Sequence, residues 1–459
     1  MIRMRLSEAA EVLAARYSRA DVSFHGLSTD SRRIETGNLF VALQGPNFDG
    51  HDYIEQARRQ GAAAAAVTRQ PDIPLPMLRV ASTRLALGQL AAHWRTRFDL
   101  PVVAITGSNG KTTVKEMTAA ILARMGNTLV TRGNLNNDIG LPLTLSRLSA
   151  EHQYAVVEMG ANHPGEIAYL AGIARPTVAV VTNAGPAHLE GFGDLEGVAH
   201  GKGEVYTGLS AGDTAVINAD DLYAPLWREK AKHCRVIEFG LTSKAQVRAE
   251  WEHAAAGSLV RLHTPCGSTE IHLPLPGRHN ILNALAAAAA AHAAGADTET
   301  IRQGLNAMVP VHGRLTVRRR NDGVMVIDDT YNANPQSLQA ALDVLAISQG
   351  EKWLVLGDMG ELGAAARELH REAGCKARLA GVSRVFTLGD FARETAVGFG
   401  SGARSFDHME ELVVALVREL RGEVCVLVKG SRRMAMERAV DALQESPDTA
   451  AVHTGGGRS

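Results

Sequence analysis

Lys111, Thr112 and Thr113 directly follow a run of small residues, Thr106-Gly107-Ser108-Asn109-Gly110. An ammonium and a hydroxyl placed after a glycine-rich loop are the groups that grip a polyphosphate. Loop N–H groups cradle the phosphate oxygens, the lysine reaches the β/γ phosphates, and the first hydroxyl takes a magnesium ion. The flanking elements suit that chemistry. Residues 102–105 are apolar and β-branched and predict a buried strand, while Val114, Met117, Ala120, Ile121 and Met125 recur at helical spacing. The loop is shorter than the general phosphate-loop pattern, which wants glycine where Ile105 stands. The alternative is an ordinary strand-to-helix turn with a surface lysine.

Other chemistry-bearing residues gather after apolar runs. Glu158 ends a predicted strand over 154–157. A carboxylate at the end of a strand beside a phosphate loop is where a second magnesium contact is expected. It could instead cap a helix predicted over 163–171. Asn134, Asn136 and Asn137 form either a solvated loop or a polar binding wall. His188 lies beyond a predicted strand over 177–182, as a metal or phosphate contact or as an ordinary loop histidine. Lys202, between Gly201 and Gly203, reads as a flexible surface residue. His279, Asn280 and Asn283 open an alanine-rich helix over 281–294; they suit a purine edge, or cap the helix. D-D-T-Y-N-A-N-P at 328–335 and K-G-S-R at 429–432 stand at strand ends, where open α/β sheets bind ligands. Solvated loops are the alternative for both.

These residues need a multidomain α/β scaffold, since 459 residues exceed one compact core. Breaks at Leu100-Pro101 and at 309–314 divide the chain into units 1–98, 99–312 and 313–459. In the first, strands are predicted over 22–27, 39–43, 62–67 and 77–81, with helices over 51–60 and 83–98. The middle unit adds a strand over 215–220 and a small hairpin, 258–263 with 270–275. The last unit repeats strand and helix, with strands over 324–328, 352–357, 384–388 and 424–428: a second doubly wound unit without a phosphate loop. The tail 446–459 is expected to be disordered. A net charge of −1 gives no reason to expect nucleic acid or an anionic membrane as partner, and 5 % aromatic residues argue against a base-stacking surface. The four cysteines form no CxxC pair, which argues against a zinc ribbon and fits reduced thiols in a cytosol. No stretch reads as a secretory signal or membrane span.

Taken in order, T-G-S-N-G-K-T-T, N-L-N-N-D-I-G-L-P, E-M-G, T-N-A-G-P-A-H-L-E, G-R-H-N, G-R-L-T, D-D-T-Y-N-A-N-P and V-K-G-S-R resemble the three-domain Mur ligases of peptidoglycan synthesis over nearly the whole chain. The resemblance implies a small α/β substrate domain, a central P-loop domain with a parallel sheet, and a C-terminal Rossmann-like domain. It implies a monomeric cytoplasmic enzyme using ATP and Mg2+ to ligate a UDP-N-acetylmuramoyl tripeptide to D-alanyl-D-alanine through an acyl phosphate. By motif position, Gly107, Ser108, Asn109, Gly110, Lys111, Thr112 and Thr113 would bind the ATP phosphates. Thr112 and Glu158 would hold magnesium, and His188 a second ion. Lys202 matches the family's carbamylated lysine, which would face the metal. His279, Asn280 and Asn283 would contact adenine; Arg314, Asp329, Tyr331, Asn332 and Asn334 would reach ATP or the intermediate. Ser28, Asp30, Ser31, Arg32 and Phe40 would line a uridine pocket, Asn134, Asn136 and Asn137 the peptide, and Lys429, Ser431 and Arg432 the dipeptide. Two alternatives keep the phosphate loop: a related ligase, such as another Mur ligase or a folylpolyglutamate synthase, and a nucleotide-driven switch.

Overall fold

The computed structural model describes residues 1–242, 244–254 and 257–444. The tail expected to be disordered lies outside these residues. The middle unit is built on six parallel strands in the order Thr128–Val130, Tyr154–Glu158, Val102–Thr106, Val178–Val181, Thr214–Asn218 and Arg235–Phe239. The central strands are uninterrupted apolar runs because both faces are covered. One face packs against Leu141, Ile167, Leu170 and Trp227. The other packs against the helices Lys111–Leu122 and Arg278–Ala293. Ala284 to Ala291 of the second helix are all buried, and their small side chains let it lie close to the sheet.

Three expectations for this unit change. The helix expected over 163–171 runs instead over Glu166–Ala174, because Pro164 and the left-handed Gly165 (φ +86°) complete the preceding turn. The expected hairpin is a three-stranded antiparallel sheet, Arg248–Ala254, Gly257–Thr264 and Gly267–Leu273. Its first strand is charged and largely solvated, so it lacks an apolar signature. Lys202 is not a flexible surface residue. It closes the helix Leu195–Lys202, which Asp194 caps by accepting from the Gly197 N–H at 2.7 Å, and its side chain is fully buried.

The C-terminal sheet runs Thr316–Arg319, Met325–Asp329, Val424–Lys429, Glu351–Gly357, Arg384–Leu388 and Ala403–Phe406, parallel except for its first strand. Apolar clusters sandwich it on both faces. The two edge strands escape the sequence reading because each buries little on its outer face.

The first unit carries a five-stranded sheet of short strands: Arg16–Ser18, Met77–Arg79, Ala64–Val67, Leu39–Val41 and Leu27–Ser28. Its last helix, Thr83–Arg95, docks on the middle unit. Trp94 Nε1 donates to the Leu148 carbonyl at 3.1 Å, and the buried Arg95 donates to the Ala174 carbonyl at 3.0 Å. No helix among the described residues is long and apolar enough to cross a membrane.

Candidate active site

The C-terminal ends of the middle-sheet strands open into a cleft of about 1320 Å³, which the C-terminal unit closes from the other side. Its floor is the phosphate loop. Gly107 (φ +141°) and Gly110 (φ +81°) hold backbone conformations that disfavour side chains. A Cβ on Gly107 would stand 2.0 Å from Thr182 Oγ1, and one on Gly110 2.3 Å from Asn283 Oδ1. The neighbouring strand end braces the loop: Ser108 Oγ donates to the Gly185 carbonyl at 3.0 Å, and Asn183 Oδ1 accepts from the Asn109 N–H at 3.0 Å. Lys111 folds back, donating from Nζ to the carbonyls of Gly107 (2.7 Å) and Ser108 (3.1 Å). Burial pushes its pKa below the usual lysine value. An ammonium wrapped over its own loop is poised for an anion lying on that loop.

Thr112 and Glu158 meet as a pair, with Thr112 Oγ1 donating to Glu158 Oε2 at 2.9 Å. Asn136 Nδ2 donates to the other oxygen, Oε1, at 2.8 Å. Behind them the Glu158 N–H donates to Thr131 Oγ1 at 3.0 Å. The Thr131 carbonyl in turn accepts from the fully buried Lys115 Nζ at 2.9 Å. Lys115 is a supporting residue that the sequence reading missed; its only sequence signal was a lysine among the helix's apolar positions, between Val114 and Met117. Among the described residues no three His, Cys, Asp or Glu side chains converge. A hydroxyl and a single carboxylate nevertheless suit Mg2+, which keeps several waters and takes substrate phosphates as further ligands.

Two further candidates stand nearby. His188, at φ +57°, has Nδ1 2.5 Å from Glu361 Oε2 of the C-terminal unit. Glu361 itself adopts φ +61°, and it too was absent from the sequence reading. Lys202 Nζ donates to the Ala161 carbonyl at 3.0 Å and lies 5.0 Å from the Phe192 ring centre. Burial lowers its pKa to about 7, assisted by the positive charge of Lys111. A neutral buried amine is the form that adds carbon dioxide; the ammonium form offers a metal no lone pair, whereas a carbamate would offer oxygen.

The C-terminal unit reaches over the loop with several groups. Arg314 NH2 donates to Thr112 Oγ1 at 2.9 Å, and its guanidinium lies 4.2 Å from the Tyr331 ring centre. Asn334 Nδ2 donates to Asn109 Oδ1 at 2.8 Å while its own Oδ1 caps the helix Pro335–Ala346. Asn109 Nδ2 donates to Gln336 Oε1 at 2.7 Å. Asp329 is paired with the buried Lys429, whose Nζ also donates to the Asn332 carbonyl at 2.9 Å. Burial raises the Asp329 pKa against the pull of Lys429. The Ser431 hydroxyl is buried at the cleft and has no hydrogen-bond partner among the described residues, a group suited to a ligand. Arg432 lines the same wall and pairs with Glu437 at 3.0 Å.

His279, Asn280 and Asn283 also line the cleft, with Asn283 beside Gly110 of the phosphate loop. Burial, with the charge of Lys429, lowers the His279 pKa to about 4, so its ring is neutral near pH 7. Asn280 and Asn283 are tied into the helix start through Pro276 and each other. Asn134 and Asn137 line the wall beside Asn136, and Asn137 Oδ1 accepts from the Gly140 N–H at 2.9 Å. The five expected first-unit residues stand apart from this cleft. Asp30 binds Arg32 through both oxygens, Ser28 Oγ donates to the Asp30 carbonyl at 3.0 Å, and Ser31 Oγ donates to Gln56 Oε1 at 3.0 Å. Phe40 is buried among Ile54, Ala65 and Met77. Among the described residues, the first unit contributes Arg84 to the cleft.

A phosphate loop floored on a parallel sheet and clamped by a second doubly wound unit defines a multidomain nucleotide-using α/β enzyme. The chain's relatives narrow that class. Residues 23–95 match the Mur ligase family catalytic domain, 105–291 the Mur ligase middle domain, and 313–432 the Mur ligase glutamate ligase domain. The chain is 45 % identical to the UDP-N-acetylmuramoyl-tripeptide–D-alanyl-D-alanine ligase of Escherichia coli K12, covering 97 % of this chain and 99 % of that one. A crystal structure of MurF from Acinetobacter baumannii superposes with a TM-score of 0.92 at 38 % identity, covering 97 % of this chain and all of the other (100 %). The MurF ligase of Thermotoga maritima, solved in complex with ADP, superposes with a TM-score of 0.83 at 29 % identity, covering 93 % and 98 %. The chain belongs to the Mur ligase family.

Proposed function

We propose that the chain joins UDP-N-acetylmuramoyl tripeptide to D-alanyl-D-alanine, converting ATP to ADP and phosphate and forming the pentapeptide precursor of peptidoglycan. The observation that carries the mechanism is the meeting of both units on one hydroxyl. Thr112 Oγ1 donates to Glu158 on the middle sheet and accepts from Arg314 of the C-terminal unit. A carboxylate is a poor electrophile, and its attack on ATP brings two anions together, so the site must supply positive charge.

In the first step an oxygen of the tripeptide's terminal carboxylate attacks the γ-phosphorus and ADP leaves. Lys111 swings from its loop carbonyls onto the phosphates, and Arg314 neutralises charge from the opposite side. Mg2+, held by Thr112 and Glu158, neutralises phosphate charge when bound. His188 and a carbamylated Lys202 would hold a second ion near the attacking carboxylate. In the second step the neutral amine of D-alanyl-D-alanine attacks the acyl carbonyl, and phosphate leaves with one oxygen from the original carboxylate. Asn334, Tyr331, Asp329 and Asn332 close the C-terminal wall, with Lys429, Ser431 and Arg432 toward the dipeptide. His279, Asn280 and Asn283 receive the adenine, and Asn134, Asn136 and Asn137 the peptide. Ser28, Asp30, Ser31, Arg32 and Phe40 shape the uridine end. The enzyme acts as a monomer in the cytoplasm.

The match at residues 23–95 favours this reading over a folylpolyglutamate-type ligase, which would not keep that first unit. The test is phosphate release with ATP and Mg2+, adding the two other substrates separately and together. Release requiring both, with the UDP-pentapeptide found by mass, is expected. Release independent of the UDP-peptide would overturn the reading in favour of a nucleotide switch.

A further inference from the structure

Glu361 stands in the loop after the C-terminal strand Glu351–Gly357 and lines the cleft. Its backbone is left-handed (φ +61°), a conformation that a residue with a Cβ holds only where its surroundings impose it. Among the described residues the C-terminal unit brings two other carboxylates to the cleft, and both are engaged within that unit. Asp329 is held by Lys429, and Asp343 accepts from Gln339 Nε2 at 2.9 Å. Glu361 instead reaches the middle unit, with Oε2 2.5 Å from His188 Nδ1, and the charges of Lys111 and Lys202 act on it. Its side chain is still 58 % exposed, which leaves carboxylate lone pairs open to a ligand.

This loop is stitched to the one that follows Val424–Lys429. The Ser431 N–H donates to the Asp358 carbonyl at 2.9 Å, and a Cβ on Gly360 would stand 3.5 Å from the Ser431 Cβ. Ser431 is 4 % exposed, and its hydroxyl is the buried group without a partner noted above. Beside it Arg433 lines the cleft, and its NH2 comes only within 3.7 Å of Asp358 Oδ2, too far for a hydrogen bond. Asp358 accepts instead from the Asp390 N–H at 2.9 Å and the Phe391 N–H at 3.1 Å. The wall therefore carries a carboxylate at one end and, close by, a hydroxyl and a guanidinium that make no side-chain hydrogen bond among the described residues. A dipeptide zwitterion has the complementary charges, with ends at most about 7 Å apart.

We propose that Glu361 seats the amino end of D-alanyl-D-alanine while the Ser431 hydroxyl and Arg433 take its terminal carboxylate. The inference rests on the proposed ligase reading and deepens it, adding Glu361 and Arg433 and a direction for the dipeptide. The amine must reach a carbonyl activated over Lys111, where Lys111 and Arg314 supply positive charge. An ammonium entering that field needs a carboxylate beside it, and Glu361 is the one that the C-terminal unit turns toward it. A carboxylate accepts from the amino group in its charged and its neutral form alike, so the nucleophile stays in place when it loses its proton. At the other end a guanidinium pairs with a carboxylate through two parallel hydrogen bonds.

The test uses the full chain with ATP, Mg2+ and the UDP-tripeptide, and varies the dipeptide. Glu361→Gln keeps the side chain's size and should raise KM for D-alanyl-D-alanine at least tenfold, with KM for ATP and for the UDP-tripeptide within twofold of the parent. Arg433→Gln should do the same. An unchanged dipeptide KM in either variant would overturn the proposal. A mere brace between the units would instead raise all three KM values together, and that result would overturn it too. Two further arms need no variant. D-alanyl-D-alanine amide, which lacks the terminal negative charge, should show a KM at least tenfold above that of the free acid. Propionyl-D-alanine, which lacks the amino group, should inhibit with a Ki at least tenfold above the dipeptide's KM. Either analogue matching the dipeptide would overturn the assignment at its end. Absence of pentapeptide from the unaltered enzyme with all three substrates would refute the ligase reading itself, whereas turnover with these values unmoved would refute this inference alone.

Discussion

Replacing Lys115 by Met tests whether Glu158, the carboxylate proposed to hold Mg2+, is held from behind. Lys115 Nζ donates to the Thr131 carbonyl at 2.9 Å and pairs with Glu116 at 2.8 Å. Methionine is close in length and keeps most of the packing, so little cavity term arises. The Thr131 carbonyl, on a residue only 2 % exposed, loses a charged donor. Leaving it unsatisfied costs about 1–3 kcal/mol. Glu116 is 40 % exposed on its side chain, so losing that pair adds only about 0–1 kcal/mol. Removal of the buried ammonium's desolvation cost offsets part of the sum. The net expectation is a stability loss of about 1–3 kcal/mol, carried by the carbonyl. Activity should fall further than stability implies. Thr131 Oγ1 fixes the Glu158 N–H, and misplacing a catalytic group by about 1 Å costs on the order of 10²-fold. The assay is kcat at saturating substrates beside a urea unfolding curve. A kcat within twofold of the parent, with stability reduced, would refute the coupling and leave Lys115 a plain core ion pair.

Other positions give sharper or simpler outcomes. Gly107→Ala places a Cβ 2.0 Å from Thr182 Oγ1 at φ +141°, so ATP binding by calorimetry should be lost while the protein still folds. Asn334→Ala removes a helix cap and the bond to Asn109, and should cost about 1 kcal/mol of stability and raise KM for ATP. For unmodified Lys202 the folded pKa, about 7, lies below the unfolded value near 10.5. Between those values the unfolded chain binds more protons, so this residue makes stability rise with pH from about 7 to about 10. Unfolding midpoints at pH 7 and 9 should show a rise that Lys202→Met flattens; the same slope in both proteins would refute the assignment.

The sequence made much of this fold legible because parallel strands buried on both faces write themselves as apolar runs. Arg384–Leu388 was read at its observed bounds for that reason. Strands with one solvated face, such as Arg248–Ala254 and Ala403–Phe406, left no such signature. Lys111, Thr112 and Glu158 were readable because local order along the chain places them: loop, helix start and strand end. Lys202 was misread because its two glycine neighbours suggest mobility, whereas both lie inside or directly after a capped helix. Glu361 and Lys115 were invisible because their roles depend on partners at 188 and 131, supplied by other elements.

Isotope transfer tests the acyl-phosphate route most directly. The tripeptide is prepared with 18O in its terminal carboxylate and turned over with ATP, Mg2+ and D-alanyl-D-alanine, and the inorganic phosphate is analysed by mass. The mechanism predicts one 18O in each phosphate released, with the other retained in the new amide carbonyl. Phosphate carrying no 18O would contradict attack of that carboxylate on ATP.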